Sequence, residues 1–214
     1  MVELFLRGGE FMWPILAVFI IGLMFVIERF VSLTMSTVNT KKFIVSVTQA
    51  LEDGGPQAAK EICEKTRGPI ASVFHAGLQR FGMGIDAVEK NIMNAGQIEM
   101  SFLEKNLVWL STVIAIAPML GFTGTVAGMV GAFDAIAAAN DISPAIVAGG
   151  ISKALLTTLF GLIVAMVIQF FNNFFISRID KIVGDMQEAS VEFVDTLLDY
   201  EEAHPELKRG GNNA

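Results

Sequence analysis

Residues 149–171 read GGISKALLTTLFGLIVAMVIQFF, and Lys153 is the single charge among them. A helix needs about 20 apolar residues, at about 1.5 Å each, to cross a bilayer. The run is therefore long enough to span a membrane, and that reading decides the fold. A lysine at the centre of such a helix costs about 2.5–3.5 kcal/mol on insertion scales, so it normally faces a bundle interior or a watery cavity. The plainer alternative is snorkelling, because Lys153 lies only about nine residues, or ~13 Å, from the helix start near Pro144.

Two more runs reach spanning length. FMWPILAVFIIGLMFVIERFVSL is apolar from Phe11 to Ile27, and Leu107 to Ala139 contains only Asp134 as a charge. The first is too long for a signal peptide, no small-residue cleavage site follows it, and Trp13 marks an interface. The second and third spans are joined by NDISP, which makes them antiparallel neighbours. Of the fifteen Lys and Arg, Arg7 alone precedes the first span, and none falls between Lys105 and Lys153. Apart from Lys153 itself, the other basic residues end the first span, fill the loop after it, or follow the third. The positive-inside rule then puts the N-terminus outside and both the long loop and the C-terminus in the cytoplasm.

The expected architecture is all-α, an integral membrane protein with three transmembrane helices. Two of these are long and extend into a cytoplasmic helical bundle. The expected divisions are a periplasmic N-terminus (1–10), helix 1 (11–35), a cytoplasmic helical domain (36–106) and helix 2 (107–139). A periplasmic turn (140–144), helix 3 (145–176), a cytoplasmic helix (177–203) and a disordered tail (204–214) complete the chain. Ile85, Val88, Ile92, Ala95, Ile98 and Phe102 recur at helical spacing and lead straight into the second span. Ile179, Ile182, Met186, Ser190, Phe193 and Leu197 do the same after the third. Gly54-Gly55-Pro56 and Arg67-Gly68-Pro69 punctuate shorter helices between them.

Composition narrows the function. Hydrophobic residues make up 53% of the chain and the formal net charge is −7, with a mean hydropathy of +0.56. Nucleic-acid binding would need a clustered basic surface instead. Cys63 is the only cysteine, and it reads as a structural residue on an amphipathic helix. His75 and His204 stand apart, so neither a metal site nor a catalytic triad is spelled out. Neither a cofactor nor enzymatic activity is expected.

The second span carries APMLGFTGTVAGMVGAF. Gly121, Gly124, Gly128 and Gly131 form a smooth strip that lets helix backbones approach in lipid, and Pro118 is expected to kink the helix. Thr123, Thr125, Thr157 and Thr158 could simply back-bond to their own helices. Their hydroxyls, which donate and accept, could instead line a narrow wet path. Lys153, Thr157 and Gly161 follow at steps of four and so share a face. Asp134 is the natural counter-charge to Lys153. It lies eight residues before Ile142 and Lys153 eleven after, so their depths in an antiparallel pair differ by ~5 Å, within a chain or between neighbours.

Together MWPIL…VIERF, APMLGFTGTVAGMVGAF and VAGGISKALLTTLFGLIVAMVIQFFNNFF resemble the ExbB/TolQ/MotA family across all three spans. Three spans with a mid-sized loop fit its ExbB/TolQ branch, since the flagellar branch has four. The resemblance implies an inner-membrane proton-channel subunit. Five copies would ring the single-span helices of an ExbD/TolR-like partner, whose membrane Asp carries protons, and the motor would energise a TonB- or TolA-like protein. Thr125 in GTV and Thr158 in LLTTLFGL match the family's pore threonines, and Thr157 and Lys153 are expected to line the same path, with Lys153 paired to an acid there. Where relatives typically read GIAEAL or GISEAL, this chain reads GISKAL, so the family glutamate's role does not transfer to Lys153. The rival readings are a non-conducting scaffold, a TolQ- or MotA-type stator, and a transporter for an anion. The last is disfavoured because the spans show no internal repeat.

Overall fold

The computed structural model describes residues 2–36, 40–139 and 144–204. Seven helices account for nearly all of these residues, and no strand forms among them. They are α1 (Val2–Arg7), α2 (Met12–Met35), α3 (Thr40–Lys65), α4 (Pro69–Leu78), α5 (Ile85–Glu104), α6 (Leu107–Ala139) and α7 (Pro144–Ala203). Three helical stretches are long and apolar enough to cross a membrane, within α2, α6 and α7. The expected N-terminal arm contains the short helix α1. Residues 140–143 of the expected turn, and the expected tail beyond His204, lie outside the described residues.

The chain divides into two compact units, Met1–Phe30 with Asn106–Phe175 and Val31–Lys105 with Ile176–Ala214. In the first unit, α6 and α7 pack antiparallel through small residues. A Cβ on Gly121 would lie 3.1 Å from Thr158 Cα, one on Gly161 2.6 Å from the Ala117 carbonyl, and one on Gly128 3.2 Å from Ala154 Cα. Nothing larger than hydrogen fits there, so the backbones touch and van der Waals contact replaces the hydrophobic drive that lipid does not supply. Of the four glycines expected to pack, Gly121, Gly124 and Gly128 do so, whereas Gly131 has open space around it. Ten residues at about 100° each carry Gly131 roughly 80° off the line of Gly121, while eleven bring Ala132 back within about 20° of it. Ala132 accordingly meets Gly150. Helix α2 runs parallel to α7, with Gly9 against Lys153 and Gly22 against Ile168.

Expectation and structure part at the start of α6. The stripe on α5 does not lead straight into the second span, because Lys105 is extended (ψ 139°) and Asn106 takes a left-handed φ of 68°. Asn tolerates that region better than most side chains. The α5 stripe also fades: Val88 and Ile92 are buried, but Ile98 and Phe102 are exposed. Leu103 turns inward instead. By contrast, α6 passes through Pro118 as one helix.

The second unit has a conventional apolar core. Phe43, Val47, Leu51, Phe74, Val88, Ile92, Met186, Phe193 and Leu197 are all buried in it, and the Phe74 and Phe193 rings stack at 4.0 Å. Each such side chain contributes about 1.5–3 kcal/mol when fully buried. Of the expected stripe, Ile179, Ile182, Met186, Phe193 and Leu197 are buried, and Ser190 is half-buried with its hydroxyl donating to the Met186 carbonyl. Helix α3 breaks at Gly55 (φ 74°, ψ −172°), immediately before Pro56. Pro cannot donate to the preceding turn, and glycine reaches positive φ without a Cβ clash.

Candidate functional site

The α6–α7 seam brings three of the four candidate threonines together. Thr125 Oγ1 and Thr158 Oγ1 are in direct hydrogen-bond contact across the two helices. Thr125 also reaches the Ala154 carbonyl on α7 at 3.1 Å and the Gly121 carbonyl on its own helix at 3.3 Å. Thr158 reaches the Gly121 carbonyl on α6 at 3.2 Å. Both side chains are half-buried.

Two hydroxyls carry two protons, and the geometry admits two orders of donation. In one, Thr158 donates to Thr125, which donates to the Ala154 carbonyl. In the other, Thr125 donates to Thr158, which donates to the Gly121 carbonyl. Each hydroxyl can donate and accept, so the pair can reverse its polarity by hydroxyl rotation alone. Gly121 makes this possible, since its missing side chain lets Thr158 approach the α6 backbone.

The neighbouring threonines behave differently. Thr157 is 1% exposed, donates to the Ala154 carbonyl at 2.7 Å and fills the space opposite Gly124. Within the chain it packs between the two helices. Thr123 is exposed and bonds back to the Met119 carbonyl at 2.8 Å, the local alternative open to any helical threonine.

Lys153 does not join the hydroxyl pair. Thr157 and Gly161 turn toward α6, but Lys153 lies across Gly9, in the link between α1 and α2. Steps of four residues advance about 400°, so each moves the face by about 40°, and Lys153 ends about 80° from Gly161. Thr158 lies on the opposite flank of the buried face. Asp134 is exposed, and within the chain it forms no ion pair with Lys153 among the described residues. The register of Gly128 against Ala154 and of Ala132 against Gly150 puts Asp134 about five residues, ~8 Å, beyond the level of Lys153.

Polar groups of the first unit that the sequence does not single out gather at the far end of α2. Arg29 is 3% exposed, and its guanidinium donates to both Glu28 carboxylate oxygens at 2.7 Å. Asn106 Nδ2 donates to Glu28 Oε2 at 3.2 Å, which ties down the left-handed residue that opens α6. Adjacent opposite charges closing an apolar run were the available signal. On α7, Asn172 Oδ1 is buried and finds no donor among the described residues.

In the second unit, Cys63 is buried, and burial, with Glu64 adding to it, pushes its thiol up to about 12. A thiol so placed is inert at neutral pH. Between α5 and α7 an open groove of about 500 Å³ is lined by Ile92, Met93, Met100, Met186 and Val191, with Glu89 and Asp195 at its polar edge.

The model of the MotA/TolQ/ExbB proton channel family matches residues 65–188, more than half the chain. A biopolymer transport protein ExbB homolog of Methanothermobacter thermautotrophicus is 32% identical over 87% of this chain and 66% of its own. An ExbB-like protein of Synechocystis is 26% identical over 79% of this chain and 82% of its own. TolQ of the Tol-Pal system of Pseudomonas aeruginosa is 30% identical over 58% of each chain. The chain thus spans from a little over half to about four fifths of the length of these relatives.

Proposed function

Because the chain belongs to the MotA/TolQ/ExbB proton channel family, we propose that it is the ring-forming subunit of a proton-driven motor in the inner membrane. The observation that carries this is the Thr125–Thr158 pair, a reversible hydroxyl relay between two spanning helices. Five copies would surround the single-span helices of an ExbD/TolR-like partner, whose membrane Asp exchanges protons with the relay. A neighbouring copy would cover the groove between α5 and α7. One charge crossing 100 mV releases about 2.3 kcal/mol, enough for repeated steps to do mechanical work. The relatives carry both ExbB and TolQ names. The proposal therefore rests on what those share, proton flow coupled to a TonB- or TolA-like envelope protein.

Proton flux through the reconstituted complex tests this reading. Thr125→Val and Thr158→Val keep the shape and remove one hydroxyl each. Both should cut flux by about 100-fold, the usual scale for a positioned proton-transfer group. Thr123→Val, which loses only a bond to its own helix, should conduct like the parent. Full flux in both relay variants would overturn the assignment.

A further inference from the structure

The level of Lys153 in the membrane follows from its neighbours within the first unit. Its Nζ lies 2.6 Å from where a Gly9 Cβ would be, and Gly9 comes two residues before the apolar run Phe11–Ile27. Trp13, in the first turn of α2, is 64% exposed, as expected of an aromatic at the membrane–water interface. From Phe11 to Ile27 the helix climbs about 25 Å, near the thickness of the hydrocarbon layer, and Glu28–Arg29 closes its other end. Lys153 therefore stands at the edge of the hydrocarbon, not at its centre, and the Thr125–Thr158 pair lies about five residues, ~8 Å, deeper.

At that edge the cation has no partner among the described residues. Lys153 is exposed, and it makes no hydrogen bond or ion pair among the described residues. Arg7, at the end of α1 two residues before Gly9, is likewise exposed and makes no ion pair among the described residues, where Glu3 and Glu10 engage neither cation. Phe5 anchors α1 beneath them, against Trp13 at 5.6 Å and Phe160 at 6.3 Å. Exposed Ile20, Ile21 and Met24 continue down α2 as an apolar path. We propose that Lys153 and Arg7 hold the phosphate of an anionic phospholipid, with its headgroup at the α1–α2 link and its chains along α2. The side chain's reversed sign is then a lipid anchor outside the proton path. The proposal rests on the membrane reading but not on conduction, so either can fail alone.

The test reads Trp13 directly. In the full chain carrying Trp109→Phe, a change that keeps a ring against Phe25, brominated phosphatidylglycerol or brominated phosphatidylcholine is titrated into nanodiscs. Quenching of Trp13 should favour the anionic lipid by about fivefold per cation engaged. Lys153→Ala should remove most of that preference and Lys153→Arg should retain it, with soluble glycerol phosphate failing to compete. Equal quenching by the two lipids, a preference unchanged in Lys153→Ala, or displacement by glycerol phosphate would each overturn the proposal.

Discussion

Cys63 illustrates how burial decides chemistry at the scale of one residue. Its thiol is in contact with the apolar core of the second unit, and the thiolate would have to form there without solvent. Native protein should therefore resist iodoacetamide at pH 8, while protein in denaturant should be alkylated quickly. Equal rates in the two states would contradict the burial. The sign of the linkage follows. The unfolded thiol ionises near 9 and the folded one near 12, so the stability Cys63 contributes is fully present below about pH 9. It is lost as pH rises toward 12, because only the unfolded chain can release the proton. The single cysteine and its amphipathic surroundings were legible from the sequence. The threonines were less so, since four hydroxyls at helical spacing look alike until the opposing backbone is known. In the structure Thr157 is buried against Gly124, Thr123 bonds to its own helix, and Thr125 and Thr158 bond to each other.

At the scale of elements, the seam between α6 and α7 separates glycines that are needed from one that is free. A Cβ at Gly161 would sit 2.6 Å from the Ala117 carbonyl, backbone that cannot swing aside. Gly161→Ala should force the helices apart and cost about 1–3 kcal/mol, the usual range for overpacking, seen as a lower melting temperature in detergent. Gly131→Ala meets open space and should be neutral, or more stable by up to about 1 kcal/mol from helix propensity. Equal melting of the two variants would refute the seam. Spanning length and helical periodicity are local properties, so the three spans and the α7 stripe could be read without coordinates. The break at Asn106 could not. It depends on a left-handed backbone tied by the side chain to Glu28, seventy-eight positions away.

For the whole molecule, the distribution of basic residues argues for the N-terminus outside and the long loop inside. With Cys63→Ala as background, a membrane-impermeant maleimide should label Glu3→Cys in intact spheroplasts and Lys90→Cys only after permeabilisation. The reverse pattern would invert the topology. By itself the sequence determined that this is an all-helical membrane chain of the MotA/TolQ/ExbB family, because length, hydropathy and the glycine–threonine pattern are written along one dimension. Only the tertiary structure decided which of its polar residues act together. The four-residue steps that join Lys153 to Thr157 and Gly161 on paper advance 40° past a full turn each time. Packing on α6 takes up the last two, and the lysine is left against Gly9. That divergence depends on which helix lies on each flank of α7, and no spacing along a single helix contains it.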